Sequence, residues 1–243
     1  MKNYLNTVII ALAVIISGYL LAKGYKDRSK ASHSISVTGS GEENFVSDLI
    51  VWRATFSKKN LELKQAYAEL NSNQKEIKNY LIAKGVKTEE IIFEAVDIQK
   101  DFYYDYDQNG VLRNTIFSGY NLTQSLKVQS KNVDLIENIS REVTELIDAG
   151  VELSSFAPEY YYTKLAQLKI KMIESASKDA KNRAEKIALN AGGDIGNLKS
   201  AEMGVFQITG ENSSEDYTWG GNFNTSSKKK TANITIRLKY DID

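Results

Sequence analysis

The most suggestive constellation in the sequence is Asp105-Tyr106-Asp107-Gln108-Asn109-Gly110. It reproduces the opening of a calcium loop, with oxygen ligands from Asp105, Asp107 and Asn109 at alternate positions and a glycine for the sharp turn. The closing position, where such loops carry a bidentate glutamate, is Ile116. The flanks alternate like strands, and Asn-Gly between strands is a strong hairpin signal. A hairpin is therefore the preferred reading, and a weak calcium-responsive surface module is an alternative.

Other chemistry is sparse. His33 is the only imidazole and there is no cysteine, so no Ser-His-Asp relay, thiol nucleophile or zinc-thiolate site is expected. Gly39 and Gly41 lack the third glycine of a dinucleotide loop, since position 44 is Asn44, and tight backbone turning explains them better. The pairs Glu42/Glu43 and Glu89/Glu90 read as solvated turn charges. Lys228-Lys229-Lys230 reads as a solvated basic run that discourages strand addition. Tyrosines at 103, 104, 106, 160, 161 and 162 suit either packing or a contact surface. No catalytic residue and no cofactor are expected. An enzyme using carboxylate or lysine chemistry stays open as an alternative.

The 243 residues balance 31 Lys+Arg against 31 Asp+Glu. The charges are unevenly placed. Residues 1–30 hold Lys2, Lys23, Lys26, Arg28 and Lys30 against Asp27 alone, which leaves the remainder mildly acidic. That balance disfavours nucleic acid, whose binding depends on basic residues meeting phosphates.

From Val8 to Ala22 no residue is charged, and Val8, Ile9, Ile10, Leu12, Val14, Ile15, Ile16, Leu20 and Leu21 form its apolar surface. As a helix this run spans about 22 Å, short of the ~30 Å hydrocarbon core, and counting Tyr4 to Tyr25 makes it long enough. Leu20-Leu21-Ala22 lacks the paired small residues of a cleavage site. An uncleaved signal-anchor over residues 1–25 is preferred to a removed signal peptide, with residues 26–33 as a polar tether. The bases after the segment argue for a cytoplasmic second flank. A lone anchor before a long folded body argues for export.

The pattern in residues 34–242 predicts the order ββα-ββ-αβ-αββ, an α+β fold with mixed or antiparallel sheets packed by three helices. A strand at Ile35–Val37 ends at Gly39-Ser40-Gly41, and a second covers 49–56. Asn60 caps a first helix with an inward stripe of Leu63, Ala66, Tyr67, Leu70, Ile77 and Leu81. Strands at 91–98 and 116–128 flank an acidic, tyrosine-rich tip at 101–113. A second helix spans about 132–149, with Ile147 facing inward, and a strand follows at 151–157. The third helix runs from about Glu159 to Asn190, with Ala176, Ala180 and Ala184 allowing close approach. Its stripe continues to Ile187 and Ala191. The last strands are 198–208 and 232–242, joined by a polar linker at 209–230 that is long enough to be mobile. A second α/β subdomain is expected around 91–157.

Ile35-Ser36-Val37-Thr38-Gly39-Ser40-Gly41 resembles the opening I-x-V-x-G-x-G of the SIMPL domain family, carried by Ile35, Val37, Gly39 and Gly41. Further landmarks follow in order: Leu81-Ile82-Ala83-Lys84-Gly85-Val86 with Glu89-Glu90-Ile91, the tyrosine-rich hairpin with Gly119-Tyr120, and Asp179-Ala180-Lys181-Asn182-Arg183-Ala184-Glu185. The resemblance covers residues 34 to 242. It implies an envelope protein without an assigned reaction, with links to stress protection and ring-like oligomers among its relatives. The expected function is a membrane-tethered, self-associating interaction module whose body lies in the periplasm or outside. A periplasmic enzyme or small-molecule-binding stress factor is the first alternative. The membrane and further copies of the chain are the expected partners, and a protein partner is not specified.

Overall fold

The computed structural model describes residues 2–30 and 34–242, with side chains described for 8–24 and 34–242. Helix α1 spans Lys2–Lys30, so it continues through the start of the expected tether. His33 lies outside the described residues. The described side chains of α1 are all exposed, Val8 through Leu21 included. Among the described residues no helix is long and apolar enough to cross a membrane.

The remainder forms two antiparallel sheets, each with its own core. The first sheet contains β1 (Ser34–Val46), β9 (Lys229–Ile242) and β7 (Ile195–Met203) in that order, with β8 (Gln207–Gly210) also on β9. Helix α4 (Leu165–Asn190) lies across it. The second contains β3 (Ile91–Tyr106), β4 (Leu112–Ser130), β2 (Leu49–Asn60) and β5 (Leu153–Ser155), with β6 (Glu159–Tyr161) on β2. Helices α2 (Leu63–Ala83) and α3 (Val133–Glu142) cover it. The α+β class and the antiparallel pairing agree with the sequence pattern. The division differs from the expected one: the inserted layer starts at β2 rather than near residue 91, because β2 pairs with β4 and not with β1.

Alternation predicts β9 well. Ala232, Ile234, Ile236, Leu238 and Tyr240 are all buried against α4 and its neighbours. Trp52 is fully buried in the second core, and its indole Nε1 donates to Ser155 Oγ at 3.0 Å. Ser155 Oγ donates in turn to the main-chain oxygen of Ser140 at 2.9 Å. One side-chain relay thereby ties β2, β5 and α3 together.

Several local expectations are corrected. β1 does not stop at Gly39-Ser40-Gly41 but continues to Val46, paired with β9 throughout. Asn60 is still in β2, and α2 begins after Glu62 with no side-chain cap. Leu63 and Tyr67 face solvent, while Asn73 joins the buried face. The second helix tightens after Glu142 into a 3-10 segment, Val143–Ile147, which turns Ile147 outward. The long helix begins at Leu165, because Glu159–Tyr161 is drawn onto β2 as β6. At its far end Ala188 is buried where Ile187 and Ala191 were expected. The tip expected at 101–113 is mostly strand, and the turn is confined to 107–111.

Candidate functional site

The sites suggested by the sequence do not converge. Asp105, Asp107 and Asn109 sit at the end of the β3–β4 hairpin. Asp107 Oδ1 there accepts the main-chain N–H groups of Asn109 at 2.8 Å and Val111 at 2.9 Å. Asp105 pairs across the ladder with Asn114. Among the described residues no three His, Cys, Asp or Glu side chains are grouped to hold a metal. Glu90 closes the turn before β3, accepting from the Lys87 N–H at 3.2 Å and the Ser130 hydroxyl at 2.7 Å. Glu43 pairs with Lys171 of α4.

The signature glycines have a packing role instead of a turning one. In β1 the inward positions are Ile35, Val37, Gly39 and Gly41. A carbon in the Cβ position of Gly39 would lie 2.3 Å from both the Ala176 oxygen and the Ala180 nitrogen. At Gly41 the same carbon would lie 2.6 Å from the Met172 oxygen. The α4 backbone therefore rests on bare strand backbone, and Ala176 and Ala180 complete the contact from the helix side. Neither glycine has a positive φ.

One polar cluster joins the two layers. Lys230 lies in phase with Ala232 and Ile234 on β9, so its side chain points inward and is 2 % exposed. Its amine donates to the main-chain oxygen of Tyr160 at 2.9 Å and to that of Asn224. Tyr160 N–H donates to Thr225 O at 2.7 Å, so both backbone groups of Tyr160 are engaged from the first sheet's side. Burial pushes the Lys230 amine down from 10.5 to about 8, and the Glu215 charge opposes that shift. Glu215 also accepts from the Asn224 amide.

Beside it, Lys228 binds Asp134 and Glu137 of α3. Tyr160 donates its hydroxyl to Glu137 at 3.1 Å. The Lys228 ammonium holds the Glu137 carboxyl below the usual glutamate range, burial working against it and the Tyr160 hydroxyl with it. Burial, then the Glu137 hydrogen bond, pushes the Tyr160 phenol up. Two of the three lysines expected to be solvated, Lys228 and Lys230, thus fasten the layers, while Lys229 stays exposed. Part of the signal was in the sequence, because Lys230 shares the inward parity of β9, whereas Lys228 precedes that strand.

A second titratable group surrounds Tyr80, beside a cavity of about 720 Å3 bordered by Lys75, Glu76 and Glu145. Tyr80 donates to Glu145 at 3.1 Å, and Lys84 reaches Glu142 at 3.0 Å and Glu145 at 3.1 Å. The two carboxylates push the Lys84 amine up, and burial pushes the Tyr80 phenol up. Hydrogen bonds from Lys84 and Tyr80 hold Glu145 down. Lys84, Tyr80 and Glu145 are moved away from neutrality, the reverse of what acid–base exchange near neutral pH needs.

No curated protein matches the chain. Among solved structures, an amidase of the hydantoinase/carbamoylase family from Burkholderia phymatum is similar at 13% identity with a TM-score of 0.28. The similarity covers 57% of this chain and 35% of the amidase, so the chain spans about a third of that protein's length. A family model, SIMPL, described as a protein of unknown function (DUF541), matches residues 35–237. That match begins at the first signature residue on β1 and ends within β9, enclosing both sheets and the fastening between them. The chain belongs to the SIMPL family.

Proposed function

We propose that the protein is a membrane-tethered module of the cell envelope that self-associates and performs no reaction of its own, with its body outside the cytoplasm. The observation carrying this reading is the β3–β4 arm. β2 pairs with β4 only from Tyr120 onward, so residues 112–119 of β4 have β3 as their one strand neighbour. On this arm Tyr103 is 62 % exposed, and Tyr104, Tyr106, Val111, Leu112 and Ile116 are exposed as well. Isolated hairpins are marginal in water, and contiguous exposed apolar surface is uncommon on monomers. β3 is also a sheet edge with free backbone groups, available for strand pairing with another copy.

Tethering is supported by α1, whose described side chains, residues 8–24, are all exposed, its apolar ones from Val8 to Leu21 included. The tests are separable. Light scattering of the full chain in detergent should show a concentration-dependent oligomer. Replacing Tyr103, Tyr106 and Ile116 together by Ser should dissociate it, leave the circular dichroism of the folded chain unchanged and remove the concentration dependence of the melting temperature. A monomer at every concentration removes self-association. Cell fractionation with mass spectrometry of the N-terminus tests the tether, and a soluble chain starting near Lys23 removes it.

A further inference from the structure

We propose that the segment between β8 and β9 builds a binding groove for an uncharged saccharide, with Trp219 as its stacking platform. Trp219 is 100 % exposed and Tyr217 is also exposed, two residues away on the same turn. This turn is fastened in place. Gln207, buried on β8, donates its amide to Thr218 O at 2.7 Å and accepts the Asn222 N–H at 2.6 Å. Gly221 N–H donates to Thr218 O at 3.1 Å, and Ile208 N–H donates to Asn222 O at 2.7 Å. These hydrogen bonds fix the backbone that carries the indole, so binding does not have to order the turn, and only the exposed ring itself is ordered on contact.

Beside the two rings is a groove of about 320 Å3, at the small end of ligand sites. Val205 forms an apolar wall, and Asn233 and Thr235 contribute an amide and a hydroxyl from β9. No charged residue lines it, although charged residues make up 26% of the chain. That lining disfavours phosphates, acidic peptides and anionic lipid headgroups. Flat aromatic faces take the C–H face of a pyranose ring, while the amide and hydroxyl satisfy its hydroxyls. A neutral sugar end matches both halves of the groove.

Tryptophan emission tests this directly, because Trp52 is fully buried and Trp219 is the solvated indole. The full chain, held in a sugar-free detergent, is titrated with chitohexaose, cellohexaose and maltohexaose. At least one should give a saturable blue shift, retained in Trp52→Phe and lost in Trp219→Ala. Asn233→Ala should weaken the same binding by about tenfold. Absence of a saturable shift with all three sugars overturns the proposal, as does a shift that persists in Trp219→Ala. A blue shift that arises only on reconstitution into phosphatidylcholine vesicles assigns the indole to a lipid surface and overturns it equally.

Discussion

The amine of Lys230 donates to the main-chain oxygen of Tyr160 at 2.9 Å, joining a strand of one sheet to a strand of the other. The lysine has no carboxylate within ion-pair distance among the described residues, so its charge is stabilised by carbonyl dipoles and the more remote Glu215. A charge buried in this way costs more than it would in water, which is why its proton is held less tightly in the folded chain.

Alkaline stability follows from that shift. Lys230 titrates near 8 when folded and near 10.5 when unfolded, so between those values the unfolded chain binds more protons and stability rises with pH. Tyr80, Tyr160 and Tyr161 have raised values and act in the opposite sense above their usual 10.0. Melting temperatures measured from pH 8 to pH 10 should therefore rise in the native protein relative to Lys230→Met. Parallel curves for the two proteins would contradict the assignment.

Glu137 shares the acid limb with Asp101, Glu145, Glu159 and Asp179, all held below their usual range. Its folded value lies below the usual 4.5, so its contribution is present above that value and is lost as pH falls through the folded value. Glu137→Gln should flatten the loss of stability below pH 4.5, measured by urea titration at successive pH values. An unchanged acid slope would place the acid sensitivity elsewhere.

Gly39→Ala should destabilise the protein by about 3 kcal/mol, because the new methyl group meets helix backbone, which cannot rotate aside. Both of its nearest atoms, at 2.3 Å, are main-chain atoms of α4. Gly220→Ala is the matched control, with nothing within 4 Å of the added carbon, and its urea midpoint should stay near the native one. Equal midpoints for the two variants would rule out the close approach of α4.

At the hairpin tip, the Asp107 carboxylate is engaged with two main-chain N–H groups. Calcium and a chelator should accordingly give the same calorimetric melt, and Asp107→Ala should lower local order at the tip by about 1 kcal/mol, read by amide exchange at Asn109 and Val111. A melt raised by calcium would restore the loop as a cation site.

Local periods were legible along the chain. Alternation marked the inward face of β9 from Ala232 to Tyr240, and the four-residue spacing of Ala176, Ala180 and Ala184 marked the face of α4 that packs closely. Both follow from side-chain geometry within one element, so they need no knowledge of the partner. Tertiary structure decided what each face meets. Gly39 and Gly41 pattern equally well as a turn or as bare strand, and only the α4 backbone lying on them distinguishes the two. Glu159–Tyr161 has the composition to begin a helix, but pairing with β2 draws it into strand. Lys230 reads as surface charge by residue type, and becomes the link between sheets because Tyr160 and Asn224, distant or unremarkable in sequence, bring their carbonyls to it. Contacts between elements depend on which chain segments pack together, and a one-dimensional pattern does not carry that information.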